Sequence, residues 1–100
     1  MTDVLLFTLH VPESLKDEII DRLISLQNLT GFNLNKMSGY SKEHSLFDIS
    51  EQVEAYRAFY QFEVLIASNE VSMLNACLNP VCQPAKLRYW LTPVIESGHF

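Results

Sequence analysis

Apolar residues recur along the chain with two different spacings. Residues 4–11 alternate at every second position and contain the β-branched and aromatic residues that favour a strand. Residues 14–28 instead follow a helical spacing, with one apolar stripe formed by Leu15, Ile19, Leu23 and Leu26. Gly31 is expected to end this helix, since glycine adopts the left-handed conformation common at helix ends. A strand followed by an amphipathic helix is therefore predicted.

A long hairpin is predicted in the middle of the chain. Residues 32–40 alternate again and indicate a second strand, while residues 54–68 are apolar enough for a long third strand. Between them, segment 40–53 is polar and indicates an extended loop.

The C-terminal part repeats the helix and strand pattern. A short helix is predicted over 70–78, with Asn79 and Pro80 ending it. The final strand lies within 86–97 and contains Pro93, which has no amide to donate and belongs at a sheet edge or a bulge. The order βαββαβ predicts one α+β domain over 1–100, a ferredoxin-like plait with two helices on one face of an antiparallel sheet.

The third strand is apolar on both faces, although the predicted helices cover only one. A chain of 100 residues of which 48% are hydrophobic has more apolar residues than a core of this size requires. A second copy of the chain is the simplest cover, and the alternative is a monomer whose loops fold over the sheet. We therefore predict a homo-oligomer, most simply a trimer, with an interface formed by Val4, Leu6, Phe59, Leu65, Trp90 and Val94.

Charge and the N-terminal residues narrow the function classes. The net charge is −5, and the seven Lys and Arg residues are scattered, which argues against a nucleic-acid partner. The first residues lack a basic region and a membrane-length apolar run, so no membrane insertion and a cytoplasmic location are expected. Cys77 and Cys82 are then expected to stay reduced.

The stretch "LRYWLTPVIESG" near the C-terminus and the acidic, glycine-poor middle resemble a small uncharacterised bacterial branch of the PII-like signalling superfamily, which is related to CutA. This resemblance covers essentially the whole chain and implies a trimer that binds effectors at one end of its sheets. It also implies a link to heavy-metal efflux systems. Docking of loop 40–53 on a partner such as a membrane transporter is the expected function.

The chain departs from PII proteins where they carry a glycine-rich phosphate loop. The corresponding stretch here is "NPVCQPAKL", in which two prolines each remove an amide. ATP is therefore not expected to bind. Lys86 and Arg88 are the only cations there, and together with Tyr40 they are the candidate effector or partner residues.

Histidines are the candidate metal ligands. His10, His44 and His99 are far apart in the chain, but an oligomer can gather residues from several subunits, and imidazole suits Zn, Cu and Ni. A divalent or soft metal ion is therefore the candidate effector, although each histidine also has an ordinary structural interpretation. The spacing of Cys77 and Cys82 does not fit a structural zinc site, and Cys77 is expected in the core.

A small ferredoxin-like enzyme is the rival function, of the oxygenase or isomerase type with a pocket between sheet and helices. His10 and Glu63 are its candidate acid/base couple. If His10 lies opposite residue 56 or 57, Glu63 is about 20 Å away, at ~3.4 Å per residue. A non-enzymatic regulatory protein is therefore expected.

Overall fold

A computed structural model describes residues 3–40 and 57–100, and its elements follow the predicted βαββαβ order. The strands are β1 (Val4–Val11), β2 (Asn33–Gly39), β3 (Arg57–Ala67) and β4 (Tyr89–Pro93). The helices are α1 (Lys16–Ile24) and α2 (Val71–Ala85), and each follows a 3-10 turn, at Glu13–Leu15 and Ser68–Glu70. Most of the predicted loop 40–53 lies outside the described residues.

The four strands form one antiparallel sheet in the order β2-β3-β1-β4. This order and the two helices confirm the predicted α+β, ferredoxin-like arrangement. β4 lies at an edge, and Pro93 is its last residue, opposite Leu5 of β1. The predicted edge position of this proline is confirmed, and there its missing amide removes no central ladder bond.

The core lies between the two helices and one face of the sheet. Alternate residues of β1 and β3 point into it, and the helices contribute their apolar stripes, so that the fully buried side chains include Phe7, Leu9, Val11, Ile19, Leu23, Phe62, Val64 and Leu74. The intervening residues of β3, such as Phe59 and Leu65, lie on the opposite face. The alternation predicted for this strand is therefore confirmed.

Helix α1 ends at Ile24, earlier than the predicted residue 28. The hydroxyl of Ser25 donates to the carbonyl of Arg22 (2.6 Å), and the chain continues in tight turns in which Leu26 and Leu29 donate three residues back. These leucines still pack against the core, which explains why the helical spacing persists beyond the helix. Gly31 is six residues past Ser25 and has no positive φ, so its predicted role as the helix stop was wrong.

Helix α2 continues to Ala85, so the predicted end at Asn79 and Pro80 was wrong. Both Pro80 and Pro84 lie inside the helix. The carbonyls that would have accepted their amide hydrogens belong to Ala76 and Pro80, which are exposed residues. Water can satisfy these carbonyls, and this is why two prolines fit on the outer side of the helix.

Among residues 3–40 and 57–100, no helix combines the length and the apolar character that crossing a bilayer requires.

Candidate functional site

A cavity of about 410 Å³ opens at one end of the sheet. Its walls come from the end of β1, the end of β2, the start of β3 and the turn between α2 and β4. The lining residues are His10, Val11, Pro12, Gly39, Tyr40, Ala58, Phe59, Ala85, Lys86, Leu87 and Arg88. The cavity therefore lies beside both points where the described chain borders segment 41–56.

His10 is held firmly at the edge of this cavity. Its Nε2 donates to Oε1 of Gln61 (2.9 Å), and its ring centroid lies 4.4 Å from that of Phe59 and 4.8 Å, edge on, from that of Trp90. The backbone amide of His10 also donates to the carbonyl of Arg88 (3.0 Å). These contacts give His10 a structural role in the sheet.

The strand register differs from the one expected for His10. His10 lies opposite Gln61, not opposite residue 56 or 57, and Glu63 is only two residues further along the same face of β3. The separation of about 20 Å predicted for His10 and Glu63 was therefore wrong. The error arose because the sequence does not state which residues of two distant strands pair.

A second cavity, of about 240 Å³, lies where the enzyme interpretation puts its chemistry, between the sheet and α2. It is lined by Phe7, Leu9, Asn75, Leu78, Asn79, Cys82 and Tyr89. No described histidine, carboxylate or lysine lines it. Burial raises the pKa of the Cys82 thiol, an effect that the nearby Arg22 guanidinium only partly offsets, so this cysteine is a poor nucleophile.

Lys86 ends helix α2 in the left-handed conformation, with φ 55° and ψ 47°. It is the only described residue other than glycine with a positive φ. The amide of Lys86 donates to Gln83 and that of Leu87 donates to Cys82, each at 3.1 Å, which is a Schellman C-cap. Residues 79–87, the stretch that corresponds to the phosphate loop of PII proteins, thus form the end of α2 and its cap and not a loop. The amides of Lys86 and Leu87, which follow the helix, both donate hydrogen bonds within this cap.

The cavity lining is electropositive. Among the residues that the structure describes, the lining includes Lys86 and Arg88 and no carboxylate. The ion pairs found within residues 3–40 and 57–100 are Lys16 with Asp17 and Arg22 with Glu18, and neither involves a cavity residue. The Arg88 guanidinium carbon lies 5.4 Å from the centre of the Trp90 ring, so a cation–π contact holds it over the sheet.

The structure thus brings four of the predicted site residues together, namely His10, Tyr40, Lys86 and Arg88. His99 lies in the exposed segment that follows β4, and His44 lies outside the described residues. In the described part of the chain, no three His, Cys, Asp or Glu side chains form a group that could hold a metal ion. Phe59 was predicted only as an interface residue, and its second role beside His10 has no signal in the sequence.

The face of the sheet opposite the helices carries the six residues predicted as an interface. Leu6 pairs directly with Leu65, and Val94 donates its amide to the carbonyl of Val4 (3.1 Å). Leu65 is 50% exposed and Trp90 is 37% exposed in the single chain. We call this surface, formed by Val4, Leu6, Phe59, Leu65, Trp90 and Val94, the open face; its role in self-association remains a prediction.

The two cysteines are free. The thiol of Cys77 donates to the carbonyl of Arg22 (3.5 Å), whose guanidinium Nη1 donates in return to the carbonyl of Cys77 (2.9 Å). This exchange joins α1 to α2. Cys77 is only half-buried and does not belong to the core cluster, so its predicted position in the core was wrong.

Comparison with known proteins places the chain in a family. All of residues 1–100 match DUF3240, a family of proteins of unknown function. A crystal structure of a DUF3240 family protein from Shewanella baltica is 31% identical, with a TM-score of 0.81 and coverage of 100% of this chain and 99% of that one. A Bacillus cereus protein related to NIF3 shares the fold alone, at 12% identity and a TM-score of 0.70 over 98% of this chain and 27% of that one. Comparison with curated proteins gave no match. The chain belongs to the DUF3240 family.

Proposed function

We propose that this protein is a non-enzymatic regulatory protein of the PII-like type, which acts as a homotrimer and binds a small effector at the end of its sheet. One observation carries the proposal: His10, Tyr40, Lys86 and Arg88 line a single cavity beside both borders of segment 41–56. An effector in that cavity touches the residues that lead into and out of the segment. Its binding is therefore communicated to loop 40–53.

The proposed output is docking of loop 40–53 on a partner protein such as a membrane transporter. The resemblance of "LRYWLTPVIESG" and the acidic middle of the chain to the efflux-associated PII-like branch supports this choice. The same resemblance makes metal homeostasis the proposed context. The cytoplasm is the proposed location, because a transporter of this kind is regulated from that side.

The lining of the second cavity supports a non-enzymatic role over the oxygenase or isomerase alternative. The polar groups of its described lining are two asparagines, the phenol of Tyr89 and a thiol with a raised pKa, and they include no histidine, carboxylate or lysine. In the first cavity, Nε2 of His10 is already engaged by Gln61. Neither cavity therefore supplies a poised acid/base pair from the described residues.

Partner capture tests the proposed output. Immobilised wild-type protein and a variant lacking residues 41–53 are compared for retention of proteins from detergent-solubilised membranes of the source bacterium. A transporter retained by the wild type and lost by the deletion supports the proposal, provided that circular dichroism and light scattering show both proteins to be equally folded and assembled. Equal retention, or none, contradicts docking through the loop.

A metal titration tests separately a second candidate effector, a divalent or soft metal ion held by histidines of the assembled subunits. Calorimetry with Zn²⁺, Cu²⁺ and Ni²⁺ is run on the wild type and on His10→Ala, His44→Ala and His99→Ala. Binding tighter than about 10 μM, near −7 kcal/mol, that one of these variants abolishes supports a metal effector. Weaker binding removes the metal from the proposal and leaves partner docking in place.

A further inference from the structure

We infer that the effector of the 410 Å³ cavity is a small organic anion with a single negative charge and an apolar, flat body, and that Lys86 and Arg88 bind its charged group. The inference rests on the proposed function, because it names the class of ligand for the same cavity. It is carried by three independent properties of the lining: its charge, its polar backbone groups and its apolar walls.

The sign of the charge follows from the unbalanced cations. The chain as a whole carries a net charge of −5, yet the described residues that line this cavity include Lys86 and Arg88 and no carboxylate. Neither cation forms an ion pair with any residue in the described ranges 3–40 and 57–100. Two cations that line one concave surface, with no acidic partner among residues 3–40 and 57–100, favour an anion and disfavour a metal cation.

The number of charges follows from the helix end. Helix α2 presents its C-terminus here, and its dipole places partial negative charge on this side of the cavity. The amides of Lys86 and Leu87 donate within the Schellman cap and are therefore not available to phosphate oxygens. Two side-chain cations opposed by a helix C-terminus suit one carboxylate or similar group better than a polyphosphate.

The apolar lining residues indicate the chemistry of the uncharged part of the ligand. Phe59, Ala58 and Leu87 contribute apolar side chains to the lining, whereas Val11 borders the cavity but is fully buried in the core. A volume of about 410 Å³ lies within the range of small-molecule sites, which are mostly apolar with a few polar groups that orient the ligand. An aromatic or branched monocarboxylate satisfies both the apolar walls and the cations.

Phenylacetate is a suitable probe. Phenylacetamide is its neutral isostere and tests the need for the charge, and acetate lacks the aromatic ring and tests the need for the apolar part. Trp90 is the only tryptophan and contacts both His10 and Arg88, so its fluorescence reports occupancy, and calorimetry supplies the stoichiometry. We expect saturable binding of phenylacetate to the wild-type oligomer, with affinity at least about tenfold higher than that for phenylacetamide or acetate. ATP should bind no more tightly than acetate.

Charge-removing variants locate the site. Lys86→Gln and Arg88→Gln should each weaken phenylacetate binding by about tenfold or more, whereas Lys36→Gln, an exposed cation outside the cavity lining, should leave it unchanged. Circular dichroism and thermal melting confirm that all variants are folded. Absence of saturation up to about 10 mM, equal binding of the amide, or unchanged binding in both cavity variants overturns the inference. These failures leave the partner-capture result intact, so the two proposals fail separately.

Discussion

Lys86 adopts a backbone conformation that glycine adopts more readily. A positive φ brings the β-carbon close to the following carbonyl, and glycine is the usual residue at this position of a Schellman cap. Residues kept in such conformations are held there by the surrounding structure, and they cluster at functional sites. Lys86 thus combines a sparsely populated backbone conformation with a place in the cavity lining.

Replacement of Lys86 by glycine should stabilise the fold. We expect Lys86→Gly to raise the free energy of unfolding by about 1 kcal/mol, because the left-handed conformation is then unstrained. Lys36→Gly, in the middle of β2, should lower it by about 0.5–1 kcal/mol, since glycine weakens strands. Urea denaturation measures both changes. A destabilised Lys86→Gly variant would mean that side-chain contacts of Lys86 outweigh its backbone strain.

The ring of Phe59 lies so close to Gly39 that it leaves no room for a side chain there. A β-carbon at Gly39 would lie 2.6 Å from Cε1 of Phe59, whereas one at Gly31 would have no neighbour within 4 Å. We expect Gly39→Ala to lower the free energy of unfolding by about 1–3 kcal/mol, as overpacking does. Gly31→Ala should be neutral or stabilise by up to about 1 kcal/mol.

Thermal melting of both glycine variants checks this pair, and Trp90 fluorescence shows whether the Phe59 ring has moved. Because Phe59 packs on His10, and His10 packs on Trp90, a displaced ring should change the emission only in Gly39→Ala. Equal melting temperatures for the two variants would show that the ring adapts without loss.

The sequence singled out His10, Tyr40, Lys86 and Arg88, but it did not predict that they share one cavity with Gly39 and Phe59. Convergence of these residues depends on the pairing of β1 with β3, in which His10 faces Gln61, and nothing local specifies that pairing. Side-chain type is a property of the sequence, whereas proximity here is set by contacts between distant strands.

At the scale of elements, the apolar spacing was sufficient to predict every strand and both α-helices but not where the helices end. The predicted length of α1 was too long, because leucines in tight turns also reach the core. The predicted length of α2 was too short, because its prolines were interpreted as residues that end a helix. In α2 they lie on the solvent side, where lost hydrogen bonds do least harm. Helix ends thus depend on which side of the helix faces water, which emerges only with the fold.

The proline at position 80, in the interior of α2, should lower the stability of the folded protein. We expect Pro80→Ala to raise the free energy of unfolding by about 1–3 kcal/mol, because it restores an amide donor and removes a clash with the preceding turn. Pro12→Ala, before the first 3-10 turn, should instead lower it by about 0.4–1 kcal/mol, because proline restricts the unfolded chain there at its preferred φ of −66°. Chemical denaturation of the two variants provides the test, and a destabilised Pro80→Ala would contradict it.

At the scale of the whole molecule, the open face leaves large apolar side chains in contact with water. We expect Leu65→Glu to convert the oligomer to monomers, because a carboxylate in an apolar interface carries a desolvation penalty of several kcal/mol. Ile24→Glu is the matched control, since Ile24 is 67% exposed on α1 and Leu65 is 50% exposed on the open face.

Light scattering at micromolar concentration distinguishes the outcomes. A molar mass of three chains for the wild type and for Ile24→Glu, together with a molar mass of one chain for Leu65→Glu, supports the trimer. A monomeric wild type, or an assembly that tolerates Leu65→Glu, contradicts self-association through this face.

The strand order also bears on how the chain is synthesised. β1 is synthesised before the other three strands, yet its two neighbours in the sheet, β3 and β4, come from the second half of the chain. At about 5–20 residues per second, several seconds pass before β3 is available to pair with β1. During that interval Phe7, Leu9 and Val11 have no strand to shield them. The pairing of β1 therefore waits for the second half of the domain, and until then its core residues are available to chaperones.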